Sequence, residues 1–96
     1  MNNFEQLING DKPVLVDFFA TWCGPCRMMH PILEDVKREV GDKAVIIKID
    51  VDENQELAMQ YGVQSIPSLF VFQNGEIKWR ALGVQSRETI LSALGV

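Results

Sequence analysis

No part of this sequence is rich in lysine or arginine. Its 9 basic side chains are outnumbered by 13 acidic ones, leaving a formal net charge of -4. Binding a phosphate backbone takes clustered cations, so nucleic acid is excluded as the main partner. No apolar run approaches the ~20 residues that span a bilayer as a helix, so no membrane partner is expected. Met1-Asn2-Asn3-Phe4-Glu5 also lacks the basic segment followed by an apolar stretch that marks an export signal. Cysteine is scarce. Two residues, Cys23 and Cys26, cannot build a stapled framework, which fits a reducing compartment and puts the expected location in the cytoplasm. Histidine is scarcer still, with His30 alone, and repeats, linkers and low-complexity segments are missing. A chain of 96 residues is long enough to bury its own core and too short for two, so 1–96 reads as a single domain.

What is present reads as alternating elements. Phe4, Leu7 and Ile8 recur at helical spacing, and Gly10 with Lys12-Pro13 ends that short helix. Val14 to Ala20 reads as a strand, apolar on both faces except at Asp17, the pattern of a central strand covered on each side. From Pro25 to Val40, Met29, Ile32, Leu33, Val36 and Val40 make one helical stripe, with Gly41 as its stop and Pro31 as an internal kink. Ala44 to Asp50 is a second β-branched run, so strand, helix and strand form a right-handed crossover with parallel strands. Asp52 is the expected cap of a short helix bearing Leu57, Ala58 and Tyr61, closed by Gly62. Asn74-Gly75 is a strong hairpin signal between two runs, 68–73 and 76–82, in which core packing accounts for Trp79 alternating with Ile77 and Ala81. Ser86 caps a last helix that turns Ile90, Leu91 and Leu94 to the sheet. The fold class is α/β, a mixed four-stranded sheet flanked by helices on both faces.

The cysteines stand in Trp22-Cys23-Gly24-Pro25-Cys26, after a strand and before a helix. Unpaired N–H groups at a helix start favour an anion, and the thiolate of Cys23 is what such a place stabilises. A thiol with pKa ~8.5 is about 3% ionised at neutrality, and lowering its pKa to about 7 makes it half ionised at a cost of roughly 2 kcal/mol. Attack gains only a factor of about 3, because nucleophilicity falls with basicity, so the lowered pKa matters equally when Cys23 is the leaving group. Both roles belong to thiol-disulfide exchange.

Three plainer readings compete. A staple closing a loop of about 4 residues would stabilise by only ~2 kcal/mol. Zinc would need a fourth ligand beside Cys23, Cys26 and His30; none is evident, and no metal is expected. Two ordinary buried cysteines would not be called for between a strand and a helix. The pair reads as a redox centre in which Cys23 attacks a substrate disulfide and Cys26 resolves the mixed disulfide.

Asp17 interrupts an apolar central strand six residues before Cys23. A carboxylate there is poorly solvated, which raises its pKa and suits it to exchange a proton with Cys26. Lys48 is the only charge within 45–49; it is placed to pair with Asp17 from the neighbouring strand, and the pattern equally allows an edge lysine reaching water.

Taken in order, Asp17, Trp22-Cys23-Gly24-Pro25-Cys26, Pro31, Lys48, Ile66-Pro67, Asn74-Gly75 and Gly83 resemble the thioredoxin family over nearly the whole chain. A thiol pKa near ~7 is itself characteristic of thioredoxins, so that direction comes with the resemblance. The resemblance implies a thioredoxin fold and a protein disulfide reductase that acts on disulfide-containing client proteins. It further implies recharging by an NADPH-dependent thioredoxin reductase, with no bound cofactor beyond the redox-active disulfide Cys23-Cys26. Pro67 would be cis and face the cysteines, the backbone of Ile66 would pair with an extended substrate segment, and Trp22 and Gly83 would line the same shallow groove. Gly24 and Pro25 tune the couple, Pro25 resembling the reducing members of the family. The family's usual N-terminal strand is lacking, so an otherwise monomeric protein leaves the edge from Ala44 to Asp50 open to pairing. Phe19 stands where the family usually has Trp, and Ser68 where Thr is common. A scaffold or binding subunit on the same fold is one alternative function. An exported disulfide oxidase or isomerase is another, against which Gly24-Pro25 argues.

Overall fold

A computed structural model describes residues 3–96; Met1 and Asn2, part of the segment read above for an export signal, lie outside the described residues. The elements are α1 (Asn3–Ile8), β1 (Val14–Phe19), α2 (Gly24–Val40), a 3-10 turn at Gly41–Lys43, β2 (Val45–Asp50), α3 (Gln55–Gln60), β3 (Ser68–Gln73), β4 (Glu76–Leu82) and α4 (Arg87–Leu94). Among the described residues they form one four-stranded sheet in the order β2-β1-β3-β4. β1 runs parallel to β2 and antiparallel to β3, and β3 pairs antiparallel with β4.

That order explains which strands are apolar on both faces. β1 and β3 are central and buried from end to end but for their last residues, whereas β2 and β4 are edges and half open. Alternation along β1 then splits the core in two. Leu15 joins Leu69 and Val71 of β3 against Met29, Leu33, Val36, Ile90 and Leu94 of α2 and α4. Val14, Val16 and Phe18 join Phe70 and Phe72 against Phe4 and Ile8 of α1, Leu57 of α3 and Tyr61 at the end of α3. The second face is aromatic: Phe18 meets Phe70 edge-on at 5.4 Å and Tyr61 meets Phe72 at 5.4 Å, contacts worth about 0.5–1.5 kcal/mol each beyond their buried area.

The turns follow their residues. Asn74 and Gly75 take φ values of 54° and 79°, as a two-residue hairpin with right-handed strand twist needs. Their N–H groups donate to Gly10 and Ile8, fastening the hairpin to the end of α1. Ser86 accepts from the Thr89 N–H at 3.1 Å as the cap of α4, and Gly41 ends α2 at φ 57°. Helix α2 continues through Pro31 without a break.

Three local expectations give way. Leu7 is exposed, because α1 buries only its Phe4 and Ile8 edge. Ile77 is exposed too: a register shift between Val71 and Phe72 interrupts the pairing that would have carried it inward with Trp79. Asp52 does not cap α3. Asn54 occupies that position and makes no side-chain cap bond.

Candidate active site

The site lies at the carboxyl end of β1, where the chain leaves the sheet through Ala20 and enters α2. Cys23 is the N-cap of that helix in an extended conformation, and Gly24 and Pro25 begin its first turn. Pro25 has no N–H to lose there, and its fixed φ suits the first turn. The first helical N–H directed at the cap therefore belongs to Cys26, and it donates to Cys23 Sγ at 3.2 Å. The two sulfurs are joined as a disulfide with a Cα separation of 5.2 Å. Cys23 is 5% exposed and Cys26 4%, so burial does not tell them apart; hydrogen bonding does.

The loop before β3 closes over the pair. The Ile66-Pro67 peptide is cis, and the Ile66 carbonyl oxygen lies 3.8 Å from Cys23 Sγ. Pro67 in turn accepts from the Gly83 N–H at 2.8 Å. Gly83 has φ 81°, and a Cβ added there would meet no atom within 4 Å, so the space in front of it is open. Cys23, Cys26, Ile66, Pro67 and Gly83 are thus drawn together by a chain of contacts. Trp22, 66% exposed, is tied elsewhere: its Nε1 donates to Asp52 Oδ2 at 2.8 Å.

Asp17 is fully buried, and neither carboxylate oxygen has a hydrogen-bond partner among the described residues. Alternation puts it on the α2 face of β1 with Leu15. Burial raises its pKa from 3.8 to about 6, and the Lys48 charge pulls the other way. Lys48 is the register partner of Asp17 on β2. Its ammonium contacts the ring of His30 and stands 4.9 Å from the centroid of the Phe19 ring. A depression of about 220 Å³ beside the disulfide is lined by Phe19, Ala20, Thr21, Cys26, Arg27 and His30. Among the described residues no cluster of three metal-ligating side chains is found.

Sequence reasoning missed Asp52 as a residue of the site, and it read His30 as a polar helix residue near the cysteines without finding its contact with Lys48. Asp52 follows β2 at the same end of the sheet as Trp22, and its acidity was assigned to a helix cap. His30 lies one helical turn beyond Cys26, a spacing that points both toward one side of α2.

Comparisons with known proteins agree with this geometry. A family model described as Thioredoxin matches residues 1–95. A protein named Thioredoxin from Alicyclobacillus acidocaldarius is 49% identical over 92 residues, covering 96% of this chain and 88% of that protein. The solved structure of a mutant thioredoxin from Halobacterium salinarum superposes with a TM-score of 0.87 at 36% identity, over 98% of this chain and 81% of that one. A Mycobacterium leprae protein named bifunctional thioredoxin reductase/thioredoxin is 42% identical over 91 residues, which are 95% of this chain and 20% of that protein.

Proposed function

This chain belongs to the thioredoxin family and is a protein disulfide reductase, and from that premise we propose that Cys23 is the attacking sulfur, Cys26 the resolving one and Asp17 the base that serves it. In the dithiol state the Cys23 thiolate attacks one sulfur of a substrate disulfide, forming a mixed disulfide and releasing the other substrate sulfur as a thiolate. Cys26 gives its proton toward Asp17, directly or through a water, and attacks Cys23 Sγ. The mixed disulfide breaks, the second substrate sulfur departs, and the protein is left as the Cys23-Cys26 disulfide. Two electrons pass to the substrate, and its two thiolates are protonated from solvent, which also receives the proton that Asp17 took from Cys26.

One observation carries the assignment of roles: the Cys26 N–H faces Cys23 Sγ at 3.2 Å. That bond and the helix start behind it favour negative charge on Cys23 and offer nothing equivalent to Cys26. Gly24 and Pro25 tune the couple by leaving the first turn free to present that N–H. Lys48 tunes it through Asp17. Trp22, Ile66, Pro67 and Gly83 form the surface on which an extended substrate segment lies, with the Ile66 backbone offering strand-like hydrogen bonds.

The partners follow from the chemistry. Client proteins bearing accessible disulfides oxidise the pair, and an NADPH-dependent thioredoxin reductase restores it, a pairing supported by the relative in which the two functions share one chain. Residues 1–96 act as one domain and a monomer, without metal or bound cofactor, in the cytoplasm; among the described residues no helix is long and apolar enough to cross a membrane.

The test is covalent trapping. Cys26→Ser accumulates mixed disulfides with client proteins, and Cys23→Ser accumulates none. Full reduction of insulin by either variant would overturn the assignment.

A further inference from the structure

The depression beside the disulfide is bounded by Phe19 and Ala20 at the end of β1, by Thr21, and by Cys26, Arg27 and His30 of α2. None of Trp22, Ile66, Pro67 and Gly83 borders it. Cys26 does, while Cys23 meets the Ile66 carbonyl oxygen at 3.8 Å, so this hollow and the groove for an extended client segment adjoin through the disulfide itself. An enclosed apolar cavity of ~150 Å³ takes up benzene. At about 220 Å³ the hollow has room for one aromatic ring or one branched aliphatic side chain.

Residue size and charge shape it. Phe19, the half-buried last residue of β1, stands where the family usually has Trp, and a phenyl ring leaves space that an indole would occupy. No carboxylate borders the hollow. Arg27 is exposed, donates to the Thr21 carbonyl at 3.1 Å and forms no ion pair among the described residues. That bond ties its guanidinium to a second lining residue and engages one of five N–H donors, which leaves the others for an anion.

We propose that this depression is a recognition subsite for client proteins: it takes an aromatic or branched apolar side chain flanking the client cysteine, with a neighbouring client carboxylate held by Arg27. The inference deepens the reading of the chain as a disulfide reductase and rests on Cys23 being the sulfur that captures the client. Each residue advances an extended chain by only ~3.3–3.6 Å. A residue next to a cysteine joined to Cys23 is therefore brought to the edge of the hollow, while the chain on the other side of that cysteine follows Ile66 and Gly83. Taking the apolar side chain out of water favours capture, and the guanidinium selects an acidic neighbour over a basic one.

Single-turnover reduction of symmetrical disulfides of synthetic peptides by the reduced protein tests this. The peptides share one frame and carry Phe-Glu, Gly-Glu or Phe-Lys next to the cysteine, before it in one set and after it in the other. In one of the sets Phe-Glu reacts about tenfold faster than Gly-Glu and about threefold faster than Phe-Lys. Phe19→Trp fills the hollow and brings the ratio of Phe-Glu to Gly-Glu to about one. Arg27→Gln, a change at an exposed side chain, keeps that ratio and abolishes the preference for Glu over Lys. Equal rates for all peptides, a Phe-to-Gly ratio that persists in Phe19→Trp, or a Glu-to-Lys preference that persists in Arg27→Gln overturns the subsite. A parent protein that sediments as a dimer and is returned to a monomer by Phe19→Trp gives the hollow to a second copy of this chain and overturns it too. Capture is read separately: when Cys26→Ser traps every peptide at Cys23 and the rates are flat, the subsite falls and the role of Cys23 stands.

Discussion

The amide of Cys26 points at the sulfur of Cys23 across 3.2 Å, so the second cysteine of the motif supports charge on the first through its backbone. A thiolate formed there is held by a charge-assisted hydrogen bond as well as by the helix start. In the reduced protein Cys23 is expected to ionise below the pH at which an ordinary thiol does, because the Cys26 N–H and the helix start favour its charged form. Thiolate absorbance followed through a pH titration of Cys26→Ser, where Cys23 is the one thiol, checks this. Ionisation at the value of an unstructured peptide would remove the electrostatic basis of the site.

Asp17 should make stability depend on pH in a stated direction. The unfolded chain ionises it near 3.8 and the folded chain near about 6. Between those values the folded state holds the proton more tightly, so stability falls as pH rises through that window. Above it the full cost is about 3 kcal/mol, from 1.36 kcal/mol per pH unit. Asp17→Asn, which cannot ionise, is therefore expected to be more stable than its parent at neutral pH and to lose that advantage on acidification to about pH 4. Urea unfolding of both oxidised proteins at the two pH values measures it. The same variant should release a mixed disulfide more slowly near neutrality while its first attack is spared.

Gly83 combines a φ of 81° with open space where a side chain would project. Gly83→Ala should cost about 1 kcal/mol through backbone conformation and raise KM for a protein disulfide, with little change toward a small aromatic disulfide. Parallel assays with the two substrates decide it. An equal loss on both would take Gly83 out of substrate recognition.

Arg80 links β4 to the end of α3. Its guanidinium lies 4.6 Å from the centroid of the Phe70 ring, and it donates to the Gly62 carbonyl at 3.0 Å. A cation over an aromatic face at an exposed site and one hydrogen bond together are worth about 1–2 kcal/mol. Arg80→Ala should lower the urea midpoint accordingly, and Arg80→Lys should recover part of it, because an ammonium lacks the planar stacking surface. No change in midpoint with Arg80→Ala would contradict the linkage.

Apolar patterning was enough to locate the helices and strands, though not the 3-10 turn at Gly41–Lys43, because the pattern of each has a single physical source. β1 and β3 are apolar on both faces since helices cover both, and Asn74-Gly75 takes positive φ values that other residues resist. The cysteine motif and Asp17 were legible as departures from such patterns. Asp52 was not, and His30 was legible only as a polar helix residue near the cysteines. What each does depends on a partner distant in the chain, Trp22 for one and Lys48 for the other, and a solvated cap or an exposed polar helix residue looks the same in sequence. Leu7 misled because periodicity assigns a face but only neighbours decide how much of it is covered, and Ile77 because a register shift in the pairing of β3 with β4 breaks its alternation with Trp79.

The covalent link between Cys23 and Cys26 encloses three residue steps at the mouth of one helix. Opening so small a ring frees little of the chain, and the sheet and both cores lie outside it. The electron pair is therefore exchanged at the rim of a scaffold that need not rearrange, and the protein can shuttle between its two redox states many times while keeping one shape for its clients to meet.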